Sequence, residues 1–123
     1  MKIKTNDLIG PALDWAVAKA EGRTDVRIDE DGDLVGRYEF DYSTDWAQGG
    51  TIIEREGIGL FCNRTAEIGA RFKPDAGADW RACPYNKLWE HYFGPTPLTA
   101  AMRCYVASKM GDDVEVPDGL VKE

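Results

Sequence analysis

Hydrophobic positions recur at helical spacing near the start of the chain. From Leu8 to Glu21 an apolar residue returns every three or four positions, which predicts an amphipathic helix. Thr5 and Asp7 are both candidate N-caps, and Gly22 suits the left-handed residue that follows a helix. Because proline is best accepted in a first turn, Pro11 allows the regular helix to begin there.

A second helix near the end of the chain has the clearest start and stop signals in the sequence. Thr96 is placed to cap it, and Pro97 to be its first residue, where the missing N–H costs nothing. The helix is expected to run to about Met110 and to stop at Gly111. Only two of its residues are charged, so we expect it to be packed on most sides.

Alternating apolar and polar residues predict antiparallel strands. Val26–Ile28 and Leu34–Tyr42 both alternate, and Asp31-Gly32 between them is a strong hairpin signal. One face of the longer run is apolar and the other polar, so this strand is expected to be half-exposed. Three shorter strands are predicted further along, the first two as a second hairpin: Ile58–Asn63, Glu67–Phe72 and Trp80–Cys83.

Two segments interrupt these patterns. In Ser43–Gly50, either Ser43 or Thr44 can cap a short helical turn, and the paired glycines permit backbone angles closed to other residues. Thr51–Gly57 then predicts a second short helix stopped by its glycine, although its first three residues could also form a strand. Tyr85–Phe93 is rich in aromatic residues and has no decisive period.

Together these elements predict an α+β fold. Residues 1–123 are expected to form a single compact domain, in which a small antiparallel sheet packs with an N-terminal and a C-terminal helix plus short helical turns. Hydrophobic residues make up 43% of the chain, enough for a core without metal or disulfide help. The acidic tail, about 112–123, is interrupted by Pro117 and Gly119, so part of it is expected to fray.

Cysteine usage and hydropathy indicate a cytoplasmic location. Cys62, Cys83 and Cys104 are odd in number and widely spaced, with no C-x-x-C, which argues against a disulfide framework and a zinc site. Reduced thiols are expected instead. No apolar stretch approaches the roughly 18 residues of a membrane span, and no apolar region follows the N-terminal lysines as in a secretory signal.

The charge balance argues against direct nucleic-acid binding. The net charge is −7, from 22 acidic and 15 basic residues, and no cluster of lysine and arginine is visible. The densest acidic run, Asp29–Asp33, partly matches a calcium loop. In that register, however, Arg27 stands where an Asp is needed and Tyr38 where a Glu is needed. We therefore interpret the run as a hairpin turn and predict no metal and no cofactor.

No catalytic constellation can be singled out. The one histidine, His91, lies between Glu90 and Tyr92. A general base needs a partner and a pocket, and the sequence indicates neither. A histidine beside aromatic residues is commonly a surface or packing residue, so we predict no catalytic residues.

The most informative chemical groups lie around Ser43–Gly50. Trp46 offers a stacking plane, Gln48 an amide with donors and an acceptor, and the two glycines exposed backbone N–H groups, as in clefts for planar polar ligands. The alternative is a capped turn whose tryptophan fills the core. The full set of candidate ligand-binding residues is Trp46, Gln48, Gly49, Gly50, Glu54, Arg55, Thr96 and Arg103.

Three segments of the chain resemble a known family. Thr5–Gly22, Ser43–Glu56 and Gly94–Val116 are similar to the NinX-like family of small phage and prophage proteins, which is classed as a domain of unknown function. From Ile58 to Phe93 the resemblance is poor. The resemblance implies a phage-encoded accessory protein acting in a bacterial cytoplasm, and it implies no activity.

Three functional hypotheses follow. The first is a non-catalytic binding module for a host protein or for a small polar ligand such as a nucleotide. The second is a small enzyme with carboxylates of Asp45, Glu54 and Glu56 in a cleft. The third is an acidic decoy for a DNA-binding protein, which requires one contiguous negative face. The absence of a catalytic constellation favours the first.

Overall fold

The computed structural model describes residues 1–36, 39–62 and 79–120. Within these residues it contains three α-helices and seven β-strands, so the predicted α+β architecture is confirmed. The strands form two antiparallel pairs and one three-stranded antiparallel sheet. In chain order the elements are β1 Lys2–Lys4, α1 Gly10–Ala20, β2 Arg27–Ile28, β3 Leu34–Val35, α2 Trp46–Glu56, β4 Gly59–Cys62, β5 Trp80–Cys83, β6 Tyr92–Gly94, α3 Pro97–Met110 and β7 Asp113–Glu115.

Helix α3 is the centre of the hydrophobic core. All nine residues from Leu98 to Val106 are buried, and the helix packs against α1, α2 and the three-stranded sheet. The Oγ1 atom of Thr96 accepts a hydrogen bond from the N–H of Thr99 at 3.1 Å, with Pro97 as the first helical residue. The predicted cap, bounds and near-complete packing are confirmed. Burial on most sides explains why the helix carries so few charges.

The three-stranded sheet has the order β4-β5-β6. Leu60 pairs with Ala82, and Ala82 with Tyr92, so the buried Ala82 lies at the middle of the sheet. The strands predicted near Ile58 and at Trp80–Cys83 are confirmed. Among the described residues the partner of β4 is β5, whereas the predicted partner Glu67–Phe72 lies outside the described residues.

The first hairpin is confirmed, but its second strand is shorter than predicted. The N–H of Asp29 donates to the carbonyl of Asp33 at 2.9 Å, and Gly32 takes a φ of 83° in the turn. Strand β3 ends at Val35, because its partner β2 offers only two residues for pairing. Phe40 and Tyr42 are buried all the same, as the alternation predicted. Positions 37 and 38 lie outside the described residues.

Helix α1 begins with Pro11 in its first turn, as expected. Thr5 and Asp7 do not cap it, so that prediction was wrong: both lie in a short 3-10 helix, Thr5–Asp7. The hydroxyl of Thr5 donates instead to the carbonyl of Gly111 at 2.6 Å. The start of the chain is thereby tied to the end of α3, a contact between distant residues that local sequence does not reveal.

The acidic tail contributes a strand. β7 pairs with β1, and Val114 and Val116 are both buried. These valines therefore pack the segment against the core. A second 3-10 helix, Asp118–Leu120, follows. We expected fraying here because the charges dominate the composition. Through residue 120 the segment is held by the alternate valines and the partner strand, and residues 121–123 lie outside the described part. The expected fraying stays a prediction.

The cysteines and hydropathy agree with the sequence analysis. Cys62, Cys83 and Cys104 all lie among the described residues and form no disulfide, and Cys83 and Cys104 are buried. Burial raises the pKa of Cys104 to about 12 and also raises that of Cys83, so neither is a ready nucleophile. Among the described residues, no helix has the length and apolar character needed to cross a bilayer.

Candidate functional site

The segment predicted as a turn plus a short helix forms one continuous helix, α2, which runs through both glycines. Its N-cap is Asp45, whose Oδ1 atom accepts from the N–H of Ala47 at 2.9 Å. Ser43 and Thr44 were therefore wrong as caps. The N–H of Ser43 donates to the buried carboxylate of Asp14 at 2.8 Å, which fixes the entry to α2. The helical alternative for the residues after the glycines is confirmed.

Glycine at position 49 serves packing. A Cβ there would lie 2.6 Å from Cδ2 of Leu98 and closer still to the carbonyl of Tyr42. Its N–H donates to the carbonyl of Asp45 at 2.9 Å, so the expected exposed donor at Gly49 is not present. Gly50 is different, because a Cβ would meet only the Trp46 ring at 3.6 Å. Gly49 thus lets α2 approach α3 closely.

Trp46 and Thr96, two of the candidate ligand-binding residues, lie close together. Both line a groove of about 210 Å³ where α2 and α3 begin. The Trp46 side chain is 54% exposed, so the alternative in which it fills the core was wrong. The groove is lined by Ser43, Thr44, Trp46, Thr96, Pro97 and Leu98.

The amide of Gln48 is used within the fold. Its Oε1 atom accepts from the N–H of Asp41 at 3.0 Å, and its Nε2 atom donates to Asp45 at 3.4 Å. These bonds hold the loop that leads into α2. Gln48 therefore supports the start of the helix, and Gly50 lies inside the helix, two residues further on.

Arg103 is buried away from the groove. Its Nε atom donates to the carbonyl of Leu8 at 2.7 Å, and its Nη1 atom to the carbonyl of Phe93 at 2.5 Å. Burial lowers the pKa of Arg103. The guanidinium joins the entry of α1 to strand β6, which is a structural task.

Arg55 and Glu54 lie near the other end of α2. The guanidinium of Arg55 donates to both carboxylate oxygens of Glu21, at 3.1 and 2.8 Å, and to Glu56 at 2.9 Å. The hydrogen bonds from Arg55 lower the pKa of Glu56. Glu54 is exposed. Asp45 and Glu56 are separated by the length of α2, roughly 16 Å, so the three carboxylates of the enzyme hypothesis do not meet.

Other carboxylates do converge. A cavity of about 350 Å³ between α1 and the residues after β3 is lined by Asp14, Asp33, Glu39 and Asp41 together with apolar side chains. Burial raises the pKa of Asp14 to about 6, and the charge of Asp41 adds to the shift. The sequence analysis missed this cavity because Asp14 lies on the helix that the apolar pattern predicts.

The acidic run in the first hairpin forms a turn, as interpreted. One oxygen of Asp29 accepts from the N–H groups of Asp31 and Asp33, at 3.0 and 2.9 Å. Ligand atoms of these three carboxylates lie within 4.8 Å of one another. Hydrogen bonds within the turn account for that spacing.

A second surface was not among the predicted site residues. In the connection from β5 to β6, Tyr85 is 71% exposed, Leu88 60% and Trp89 73%. We call these three side chains the aromatic surface. The signal in the sequence was present, since this segment is aromatic-rich without the period that burial requires.

A cavity adjoins the aromatic surface where α2 and α3 end. It has a volume of about 180 Å³, and Tyr85 lines it. The ammonium of Lys109 lies 3.5 Å from a carboxylate oxygen of Glu56 and 5.9 Å from the ring centre of Tyr105. We call this the α2–α3 end cavity; its lining includes Glu56, Tyr85, Asn86, Tyr105, Ser108 and Lys109.

Comparison with known proteins identifies the family. The family described as "Bacteriophage P22, NinX" matches residues 4–109. The chain belongs to this phage family. A search of the curated proteins found no match to this chain. The family match includes the aromatic surface and the groove, and the predicted NinX-like membership is confirmed.

Proposed function

We propose that this NinX-family chain is a non-catalytic module that binds a host protein in the bacterial cytoplasm. The observation that carries the proposal is the aromatic surface of Tyr85, Leu88 and Trp89. Leaving such side chains in water is unfavourable, and three large exposed apolar side chains within five residues of one connection indicate an interaction site. Tyrosine and tryptophan dominate the binding energy of protein interfaces.

A protein partner is favoured over a nucleotide. The groove at Trp46 measures about 210 Å³, whereas pockets for ligands of that size are commonly about 300–1,000 Å³. Its lining residues include no lysine or arginine to pair with phosphates. The two arginines among the candidate residues are used within the fold, Arg55 by Glu21 and Arg103 by backbone carbonyls.

The two alternative functions have less support. The carboxylates suggested for an enzyme lie at separate places along α2. A DNA decoy needs one contiguous negative face, yet acids and bases alternate around the ends of the helices. The ion pairs there are Arg23 with Asp25, Arg55 with Glu21, and Lys109 with Glu56.

The proposal is tested with purified chain immobilised in lysate from infected host cells. We expect the wild type to capture a host protein that the double variant Tyr85→Ala, Trp89→Ala does not, with binding then measured by calorimetry on the purified partner. Trp46→Ala is the matched control, because it removes another exposed indole from the opposite end of α2. Equal binding by the double variant would contradict the proposal.

A nucleotide panel in a thermal-shift assay tests the small-ligand version. We expect no nucleotide to raise the melting temperature. Stabilisation that Trp46→Ala abolishes, while Trp89→Ala keeps it, would instead assign the groove to a small ligand.

A further inference from the structure

We propose that the α2–α3 end cavity receives a lysine or arginine side chain of the protein partner. This inference rests on the proposed function, because the cavity adjoins the aromatic surface through Tyr85. The aromatic surface would supply apolar contact, and the cavity would supply recognition of charge.

The cavity has the size of a single side chain. Its volume is about 180 Å³, below the roughly 300 Å³ at which pockets for free ligands begin. It is formed by the last turns of α2 and α3 and by the start of the connection after β5. A long, thin side chain from a docked surface fits such a space better than a free metabolite.

The electrostatics of the cavity favour a cation. The C-terminal ends of α2 and α3 both lie at its wall, and the carbonyl groups of a helix C-terminus carry partial negative charge. Glu56 adds a carboxylate, and Asn86 an amide oxygen. The rings of Tyr85 and Tyr105 offer π-electron faces, which attract ammonium and guanidinium groups.

Two cations of this chain already use the same acceptors. Lys109 lies 3.5 Å from the carboxylate of Glu56, and Arg55 contacts Glu56 at 2.9 Å. The guanidinium of Arg55 lies 5.6 Å from the ring centre of Tyr105, and the ammonium of Lys109 lies 5.9 Å from it. The side chain of Lys109 is 47% exposed. Because an exposed ion pair contributes little stability, Lys109 can swing away and give its place to a partner's cation.

The charge of the whole chain selects the partner. A net charge of −7 attracts a basic surface and repels a second copy of the same chain. The occupant is therefore a basic residue on a different protein, placed beside an apolar contact for Tyr85, Leu88 and Trp89.

The test is a titration of the chain of residues 1–123, monitored by its backbone NMR shifts. The probes are N-acetyl-lysine methylamide, N-acetyl-arginine methylamide and the uncharged norleucine analogue. We expect the two cationic probes to shift Glu56, Asn86 and Ser108 in a saturable way, and norleucine to leave them unchanged. Equal shifts with norleucine, or no shifts with any probe, would overturn the inference.

Two variants of the cavity should change the affinity for the cationic probes in opposite directions. Lys109→Met removes the internal competitor, so it should strengthen probe binding about two- to fivefold, the size of an exposed ion pair. Glu56→Gln should weaken it by a similar factor. Lys87→Met is the matched control: it removes the same charge from a lysine whose pair, with Glu90 at 3.9 Å, is outside the cavity lining. If Lys109→Met and Lys87→Met changed probe binding equally, the change in net charge alone would explain the result, and the inference would be overturned.

The two proposals fail separately. If the double variant at Tyr85 and Trp89 loses the captured partner while Lys109→Met and Glu56→Gln bind it as the wild type does, the chain is a protein-binding module and the cavity assignment is wrong. If the partner is retained by the double variant, the proposed function is wrong whatever the probes show.

Discussion

The two ends of α2 differ in how the fold uses their polar groups. At the N-terminal end, Asp45 caps the helix, Gln48 holds the preceding loop, and Gly49 lies against α3. At the C-terminal end, Arg55 and Glu56 join a network of ion pairs at the surface. The first end is held by hydrogen bonds within the fold, among them the bond from Ser43 to the buried Asp14, whereas the second is linked by partly exposed charges that can exchange partners.

This difference shows which of the candidate ligand groups the fold uses for itself. The glycine, the amide and the buried arginine were chosen as ligand groups for their chemistry, yet the fold uses each of them internally. The groups left available are large apolar side chains that the core does not cover, Trp46 at one end and Tyr85 with its neighbours at the other. The proposed contacts therefore rest on exposure after folding and not on chemical type.

The largest expected effect is the pH dependence of the free energy of unfolding, which should differ in sign between the two ends of α2. The pKa of Asp14, which binds Ser43 before α2, is raised by burial from 3.8 to about 6. Because the folded state then binds the proton more tightly, the free energy of unfolding should fall as the pH rises through this window. The loss is about 3 kcal/mol for a shift of roughly two units. Urea unfolding between pH 3.5 and 7 measures it, and Asp14→Asn should remove that slope.

The C-terminal end should respond with the opposite sign. Arg55 lowers the pKa of Glu56 below its value of 4.5. The stabilisation from Glu56 is therefore present above that pH and is lost as the pH falls through the lowered pKa. A Glu56→Gln variant whose pH profile changes in the same direction as that of Asp14→Asn would contradict the comparison.

Gly49→Ala should destabilise the fold by about 1–3 kcal/mol through overpacking against Leu98 and the Tyr42 carbonyl. Gly50→Ala is the neighbouring control. Its Cβ meets only ordinary contact, and alanine favours a helix by about 1 kcal/mol. Thermal and urea unfolding of both variants check the difference. Equal stability would mean that α2 and α3 can separate without cost.

Asp45→Ala should cost about 1 kcal/mol, because the N–H of Ala47 loses its acceptor. Arg55→Met at the opposite end should cost less, since its ion pairs are partly exposed. Added salt should reduce the destabilisation caused by Arg55→Met and leave that caused by Asp45→Ala unchanged. Urea unfolding at two ionic strengths distinguishes the two ends.

Trp89→Ala and Trp46→Ala should each change the free energy of unfolding by less than about 0.5 kcal/mol, as is usual for exposed positions. Because stability should be nearly unchanged, a loss of partner binding in either variant could not be attributed to unfolding. A large loss of stability in Trp89→Ala would show that the aromatic surface supports the fold, and would weaken its assignment as an interface.

Much of the framework could be predicted, because its signals are local. Thr96, Pro97 and Gly111 delimit α3 through capping, which depends on neighbouring residues alone. The turn at Gly32 depends on one left-handed residue. The caps at Thr5 and Asp7 failed for the converse reason: Thr5 is bound to Gly111, 106 positions away in sequence. The paired glycines predicted a break, yet α2 continues because packing against α3 outweighs their low helix propensity.

The same contrast between local signals and long-range contacts applies to the candidate site residues. Trp46 and Thr96 share a groove, and their role as ligand-contacting groups stays a prediction. The sequence could not show that Gly49 and Arg103 are used within the fold, because their partners come from other segments. Gln48 is bound by the loop just before α2, a conformation that the apolar pattern does not indicate. The aromatic surface had a visible composition, but only the packing shows which of its aromatic residues lie outside the core.

By itself, the sequence determined the α+β class, the capped C-terminal helix, the first hairpin, cysteines without a disulfide and the NinX family. The family follows from a resemblance carried by three segments of the chain, and the other features follow from residue order over short distances or from composition. Only the tertiary structure decided which polar groups are satisfied internally, where α2 and α3 leave cavities, and that Tyr85, Leu88 and Trp89 face solvent. Burial and hydrogen bonding are relations between distant segments, and it is these relations that leave some side chains available for a partner.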